Sequence, residues 1–121
     1  MRIYTIEGEA HSPNILLDES RSLIEISGNS TLKDANWFYS NVLKWIIAFN
    51  SGNSKTRIIN IKLQRINDSS LLWLETIIRK LINGGPNADF EINWYNTEKN
   101  KSVLARALKL QNNSGKKVNL V

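Results

Sequence analysis

The chain has 121 residues, 41% of them hydrophobic and 22% charged, enough for one domain with its own core and too few for two. It contains no cysteine and a single histidine, His11, which excludes disulfide frameworks, thiolate zinc sites and cysteine catalysis and makes a His-based metal centre or a Ser-His relay improbable. The formal charge is +5, yet all of it belongs to the segment from Lys99 onward: the first 98 residues hold ten basic and eleven acidic side chains, and Lys99, Lys101, Arg106, Lys109, Lys116 and Lys117 follow with no acid among them.

In chain order, Arg2–Glu7 is β-branched and aromatic and predicts a strand. Glu7 arrives before any apolar stretch has formed, so a signal peptide is not expected, and with the lack of cysteines this points to the cytoplasm. No run approaches the roughly 20 apolar residues of a membrane helix, so no membrane insertion is expected. Asn14–Asp18 and Leu23–Ser27 are two short apolar runs around Glu19-Ser20-Arg21-Ser22, spaced for a hairpin, with Gly28 closing the second. Asp34 is placed to cap a helix that reaches about Phe49 and stops at Gly52.

Arg57–Leu63, with Ile58, Ile59 and Ile61, has the apolar density of a buried central strand. A helix is expected from about Ser69 to Asn83, ended by Gly84-Gly85-Pro86. Asp89–Tyr95 places Phe90, Ile92 and Trp94 on one face of a strand. Lys99–Leu110 forms a third helix, and Val118–Val121 a short final strand or a tail. The order β-β-β-α-β-α-β-α predicts an α/β domain over residues 1–121, a mixed sheet with helices packed mainly on one face.

Both main helices carry more apolar surface than one core needs. On the first, Phe38, Val42, Trp45, Ile46 and Phe49 form one stripe, and Tyr39, Leu43 and Ile47 form a second series at i, i+4 and i+8. On the second, Leu71, Leu74, Ile77, Ile78 and Leu81 point inward and leave Leu72 and Trp73 outside. Either a further segment covers this surplus, or Tyr39, Leu43, Ile47, Leu72 and Trp73 form an exposed contact face, since monomers seldom expose large apolar patches. On the second reading, truncating Trp73 weakens partner binding with little loss of stability.

Asn67-Asp68-Ser69-Ser70 stands between a buried strand and a helix start. All four residue types serve as N-caps, and that alone would account for them. The alternative is phosphorylation, because a phosphoserine here would set about two negative charges over unpaired N–H groups and the positive end of the helix dipole. Other constellations have simpler readings. Glu7, Glu9, Asp18, Glu19 and Glu25 suit solvated strand faces and a hairpin tip. Gly84-Gly85-Pro86 lacks the Lys-Ser/Thr of a phosphate loop, and His11 lies in a polar loop. The basic segment after Lys99 leaves open a nucleic-acid-binding module, a rival reading with no nucleic-acid-reading motif beside it.

Several segments together resemble the SiaC-type regulatory phosphoproteins: Ser12-Pro13-Asn14-Ile15-Leu16-Leu17-Asp18, Leu23 to Ser30, Phe38-Tyr39 with Val42-Leu43-Lys44-Trp45, Asn67-Asp68-Ser69-Ser70 and Trp94-Tyr95. The resemblance covers roughly residues 3–95. It implies a STAS-like fold, related to anti-sigma-factor antagonists, and a non-catalytic partner switch without a cofactor. In such a switch a GHKL-type kinase phosphorylates a Thr or Ser of the Asn-Thr-Ser-Ser-like motif and a PPM-type phosphatase removes the group. The unphosphorylated form activates a GGDEF diguanylate cyclase, which links it to cyclic-di-GMP and biofilm formation. This chain departs from the pattern twice: Asp68 stands at the phosphoacceptor position, and basic residues replace the acidic stretch after the Trp-Tyr pair. The expectation is therefore that Asp68 acts first as a helix cap and that phosphate, if accepted, goes to Ser69 or Ser70, with Ser69 preferred.

Overall fold

Alternation of side chains sets the sheet, and register sets its topology. A computed structural model describes residues 3–50, 56–82, 90–95 and 101–121. β1 (Ile3–Ile6), β2 (Asn14–Asp18) and β3 (Leu23–Ser30) form an antiparallel meander. In the β2–β3 turn Ser22 takes the left-handed backbone conformation that a glycine would supply in a more regular hairpin (φ 52°). Beyond β3 every pairing is parallel: β3 with β4 (Ile58–Ile66), β4 with β5 (Glu91–Trp94) and β5 with β6 (Val118–Leu120), giving one six-stranded sheet in the order β1-β2-β3-β4-β5-β6. Parallel neighbours need crossovers, supplied by α1 (Ala35–Asn50), α2 (Asp68–Ile82) and α3 (Lys101–Ser114). Each crossover moves one strand along in the same direction. With the usual right-handed connection this lays all three helices on one face, where α1 packs on α2 and α2 on α3.

The expected element order holds, with boundaries moved for identifiable reasons. Gly28 does not end β3: its φ of +96° carries the chain through a register shift at Gly28/Asn29, and pairing resumes with Asn29 opposite Arg65 and Ser30 opposite Ile66. β4 therefore runs three residues past Leu63. α2 starts at Asp68, and α3 extends four residues beyond Leu110. The expected stops at Gly52 and at Gly84-Gly85-Pro86 lie outside the described residues.

The core lies between the helices and one sheet face, where Ile15, Leu17, Ile24, Ile26, Ile59, Ile61, Leu63, Ile92 and Trp94 meet Phe38, Val42, Ile46, Leu71, Leu74, Ile78, Val103, Ala107 and Leu110. The other face explains why β4 is only half of a buried central strand. Glu25, Asn60, Asn93 and Asn119 fall in one cross-strand row. Within it Asn119 Nδ2 donates to Asn93 Oδ1 (3.1 Å) and Asn93 Nδ2 to Asn60 Oδ1 (3.1 Å), while Lys62 pairs with Glu25 (3.5 Å). Polar side chains that bond one another need no covering layer. Two expectations about single residues are corrected. Trp45 leaves the core stripe and is exposed, its ring tilted against Tyr4 at 6.1 Å. Asp18 is buried rather than solvated: the Ser20 hydroxyl donates to its Oδ1 (2.7 Å) and is the main cause holding this carboxyl below its ordinary range.

Candidate functional site

Parallel strands β3 and β4 end side by side, and the chain turns directly from Ile66 into α2. The turn is fixed by Asn67. Its N–H donates to Ser30 O (2.9 Å), its Nδ2 to Leu32 O (2.8 Å), and its Oδ1 accepts the N–H of Ser70 (2.9 Å), while its carbonyl accepts the first intrahelical bond from Leu71. The helix cap is therefore Asn67 and not Asp68, which corrects the sequence expectation. A carboxylate at the first helical position has no backbone N–H to reach back to. Asp68 instead turns outward, 81% exposed, and its Oδ1 accepts from Arg106 Nη1 of α3 at 2.6 Å. Replacing Asn67 by Ala is expected to cost about 1–2 kcal/mol, the range for losing a cap. Asn67→Asp, which retains the acceptor for Ser70 N–H and loses the donor to Leu32 O, should fall between the two in urea melts.

The three positions after the cap have different fates. Ser69 is exposed, with its hydroxyl donating to Asn67 Oδ1 (3.3 Å). Ser70 is 0% exposed and belongs to a buried hydroxyl chain. Ser30 Oγ donates to Ser70 Oγ (2.8 Å), so the 2.5 Å contact between Tyr39 OH and Ser30 Oγ has the phenol as donor. This chain ties the end of β3, the first turns of α1 and the start of α2 together. It disqualifies Ser70 as a directly accessible acceptor, since its hydroxyl reaches no solvent in the folded state.

Burial pushes the Tyr39 phenol up to about 12, against the opposing pull of its hydroxyl partners Ser30 and Ser70. With the folded value raised, the unfolded chain loses this proton first. The contribution is intact below about pH 10 and is lost as pH rises through about 12. The phenolate absorbance of Tyr39, isolated as the difference between the parent and Tyr39→Phe, is expected at about pH 12. A transition near 10 without unfolding would contradict the buried chain.

The five expected contact residues separate. Tyr39 is fully buried, a correction with a clear cause: its position in α1 turns the ring under Trp73, stacked at 6.3 Å and 14°, and its hydroxyl into the core. Trp73 and Leu43 are half-buried against the core. Trp73 Nε1 also donates to Asn36 Oδ1 (2.7 Å), bolting α2 to the first turn of α1. Leu72 and Ile47 are exposed, at 58% and 52%. Sequence reasoning missed Trp37, at 71% the most exposed large hydrophobic side chain among the described residues. The signal was present: positions 37, 41, 44 and 48 share one helical face, and a tryptophan there breaks a row otherwise made of Asn41, Lys44 and Ala48. Ser69, Leu72 and Trp73 stand at i, i+3 and i+4, on a single face of α2.

The basic segment is divided by its contacts. Arg106 is held by Asp68, Lys116 lies over the Phe90 ring at 4.7 Å, and Lys101, Lys109 and Lys117 are exposed. Among the described residues no group of three His, Cys, Asp or Glu side chains gathers as for a metal ion, and no helix is long and apolar enough to cross a membrane.

Against this geometry, comparison with known proteins gives a consistent result. The model of the SiaC family of regulatory phosphoproteins matches residues 6–121. No curated protein sequence matches significantly. Among solved structures, apo-SiaC from Pseudomonas aeruginosa superposes with a TM-score of 0.79 at 16% identity, covering 99% of this chain and 98% of that one. A second structure of SiaC of Pseudomonas aeruginosa gives 0.78 at 18%, covering 100% and 97%. A chain in the crystal structure of the diguanylate cyclase SiaD in complex with its activator SiaC from Pseudomonas aeruginosa gives 0.80 at 18%, covering 97% of each chain. At these identities the likeness concerns the fold, which is the mixed sheet with three helices described above.

Proposed function

Since the chain belongs to the SiaC family of regulatory phosphoproteins, we propose that it is a non-catalytic, cytoplasmic partner switch whose 121 residues work as one domain. It binds a protein target through the α1–α2 face and is controlled by phosphorylation of Ser69. The target class is a GGDEF diguanylate cyclase, in keeping with the SiaD–SiaC complex among its structural neighbours. A GHKL-type kinase and a PPM-type phosphatase write and erase the phosphate, and kinship with anti-sigma-factor antagonists belongs to the same proposal.

The observation that carries this reading is the placement of Ser69. Its hydroxyl is exposed one helical turn from exposed Leu72 and half-buried Trp73 on α2, and the neighbouring helix α1 carries the exposed side chains of Trp37 and Ile47. Exposed apolar side chains of this size suit a protein interface. A phosphate on Ser69 would bring about two negative charges to its rim and oppose docking by desolvation. The same phosphate would lie over the unpaired N–H groups of α2 and near Arg106, which favours the modified state, while Asp68 next to it subtracts by like-charge repulsion.

The test is reconstitution with the diguanylate cyclase and kinase encoded nearest to this chain. Unmodified protein should bind and activate the cyclase, and kinase treatment should place phosphate on Ser69 and abolish binding. Phosphate mapped elsewhere, or binding indifferent to it, overturns the switch. Trp37→Ala should leave the unfolding midpoint unchanged, given the exposure of the side chain, and weaken cyclase binding by roughly 1–2 kcal/mol.

A further inference from the structure

Of the four parallel strands, β3, β4 and β5 are each followed by a helix and end at one edge of the sheet, the edge at which open α/β sheets take their ligands. There, between the end of β4 and the first turns of α3, lies a cavity of about 180 Å³ lined by Thr31, Gln64, Arg65, Ile66, Ser102, Val103 and Arg106. We propose that this cavity is an anion site for a phosphate or phosphomonoester, with Arg65 and Arg106 as its two guanidinium ligands.

Charge is the first argument. Two arginines line the cavity and no carboxylate does. Among the described residues Arg65 makes no ion pair, although it is set in the ladder opposite Asn29 just past the bulge. Paired arginines with planar, forked donors match phosphate oxygens better than any other side-chain set. Gln64 adds a neutral amide, and Thr31, whose hydroxyl is bonded to His11 Nδ1 at 2.9 Å, closes the β3 side. The first turn of α3 holds no acidic residue, so the positive end of that helix is not neutralised from within.

Size is the second. A volume of about 180 Å³ holds several waters, since one needs only about 10–15 Å³ of such space. That accommodates a phosphate and a few ester atoms and falls short of the roughly 300 Å³ at which sites for larger cofactors begin. The third is the behaviour of Asp68, which reaches Arg106 from α2 at 2.6 Å and lies outside the cavity lining. Asp68 thus acts as an internal competitor for one of the two ligands, and an anion that draws Arg106 inward releases it. By reciprocity, freeing Arg106 from Asp68 strengthens the anion site. None of this rests on the partner-switch reading or on phosphorylation of Ser69.

The full-length chain, isotopically labelled, is titrated by NMR with inorganic phosphate and separately with O-phosphoserine, at ionic strength held constant with chloride. Saturable shifts are expected at residues 31, 64–66 and 102–106. Arg65→Gln and Arg106→Gln should each weaken binding by about tenfold, the loss of a charge-assisted contact, whereas Asp68→Asn should tighten it several-fold. Tighter binding of O-phosphoserine than of phosphate identifies the ester as the ligand; equal binding identifies the free anion. Shifts that stay linear in concentration, that centre on residues away from the cavity, or that are unchanged in Arg65→Gln overturn the proposal. Should Arg106→Gln disturb folding, Arg65→Gln and Asp68→Asn decide it alone, since both side chains are exposed.

Discussion

Ser70→Asp is expected to lower stability by about 3–5 kcal/mol, whereas Ser69→Asp one residue earlier should change it by about 0.5 kcal/mol or less. The two serines are neighbours with the same chemistry, and their surroundings separate them. Ser70 is wholly buried, and its hydroxyl accepts from Ser30, which in turn accepts from Tyr39. A carboxylate in its place has no cation within that chain. Burying an unpaired charge costs several kcal/mol whether the group stays ionised or is forced to hold its proton. Against the 5–15 kcal/mol that holds a domain together, the variant would be largely unfolded or partly so. Ser69 faces water in the first turn of α2, where a carboxylate gains from the helix dipole and loses to Asp68 beside it. Urea midpoints with unchanged slopes give the comparison directly. Equal midpoints would mean that the hydroxyl chain opens freely and would return Ser70 to the list of acceptors.

Trp73→Ala is expected to cost about 2–3 kcal/mol of folding stability, and Leu72→Ala no more than about 0.5 kcal/mol. The sequence alone places the two side by side as exposed contacts and assigns Trp73 little structural weight. In the fold the Trp73 ring is half-buried against the core, stacked on Tyr39, and its N–H bonds Asn36 on α1. Truncation therefore removes packing, an aromatic contact and the partner of a side-chain acceptor together. Full burial would put the loss at about 3–5 kcal/mol, and half-burial scales it down. Leu72 is mostly in water and has little to lose. If the α1–α2 face is the docking surface, Leu72→Ala weakens cyclase binding, by up to about 2 kcal/mol or roughly thirtyfold, while its melting curve stays that of the parent. Binding lost only in Trp73→Ala, in step with its stability, would place the interface elsewhere.

Much of this protein was determined by sequence alone, because the signals are local. β-Branched and aromatic residues marked β1, the apolar run Ile58-Ile59 with Ile61 marked β4, Phe90, Ile92 and Trp94 on one face marked β5, helical apolar spacing marked α1 and α2, and the β-β-β-α-β-α-β-α order pointed to a mixed sheet. The stretch Asn67–Ser70 was recognisable as a helix start from residue type alone, and the family resemblance rested on these same local segments.

What tertiary structure decided was which neighbour each side chain meets. Helical spacing grouped Tyr39 with Leu43 and Ile47, but only the packing of α1 on α2 turned the Tyr39 hydroxyl inward to Ser30 and left Ile47 in water. Cap propensity does not distinguish Asn67 from Asp68. The register of β3 on β4, shifted at Gly28, brings Ser30 and Leu32 to Asn67, so that Asn67 closes the turn and Asp68 is left to Arg106. Arg65 and Arg106 stand 41 positions apart in a chain of 121 and belong to one cavity only because β4 and α3 end and begin at the same edge of the sheet. Periodicity reports the face on which a residue lies. Contacts between faces depend on register and crossover geometry, which no short window of sequence contains.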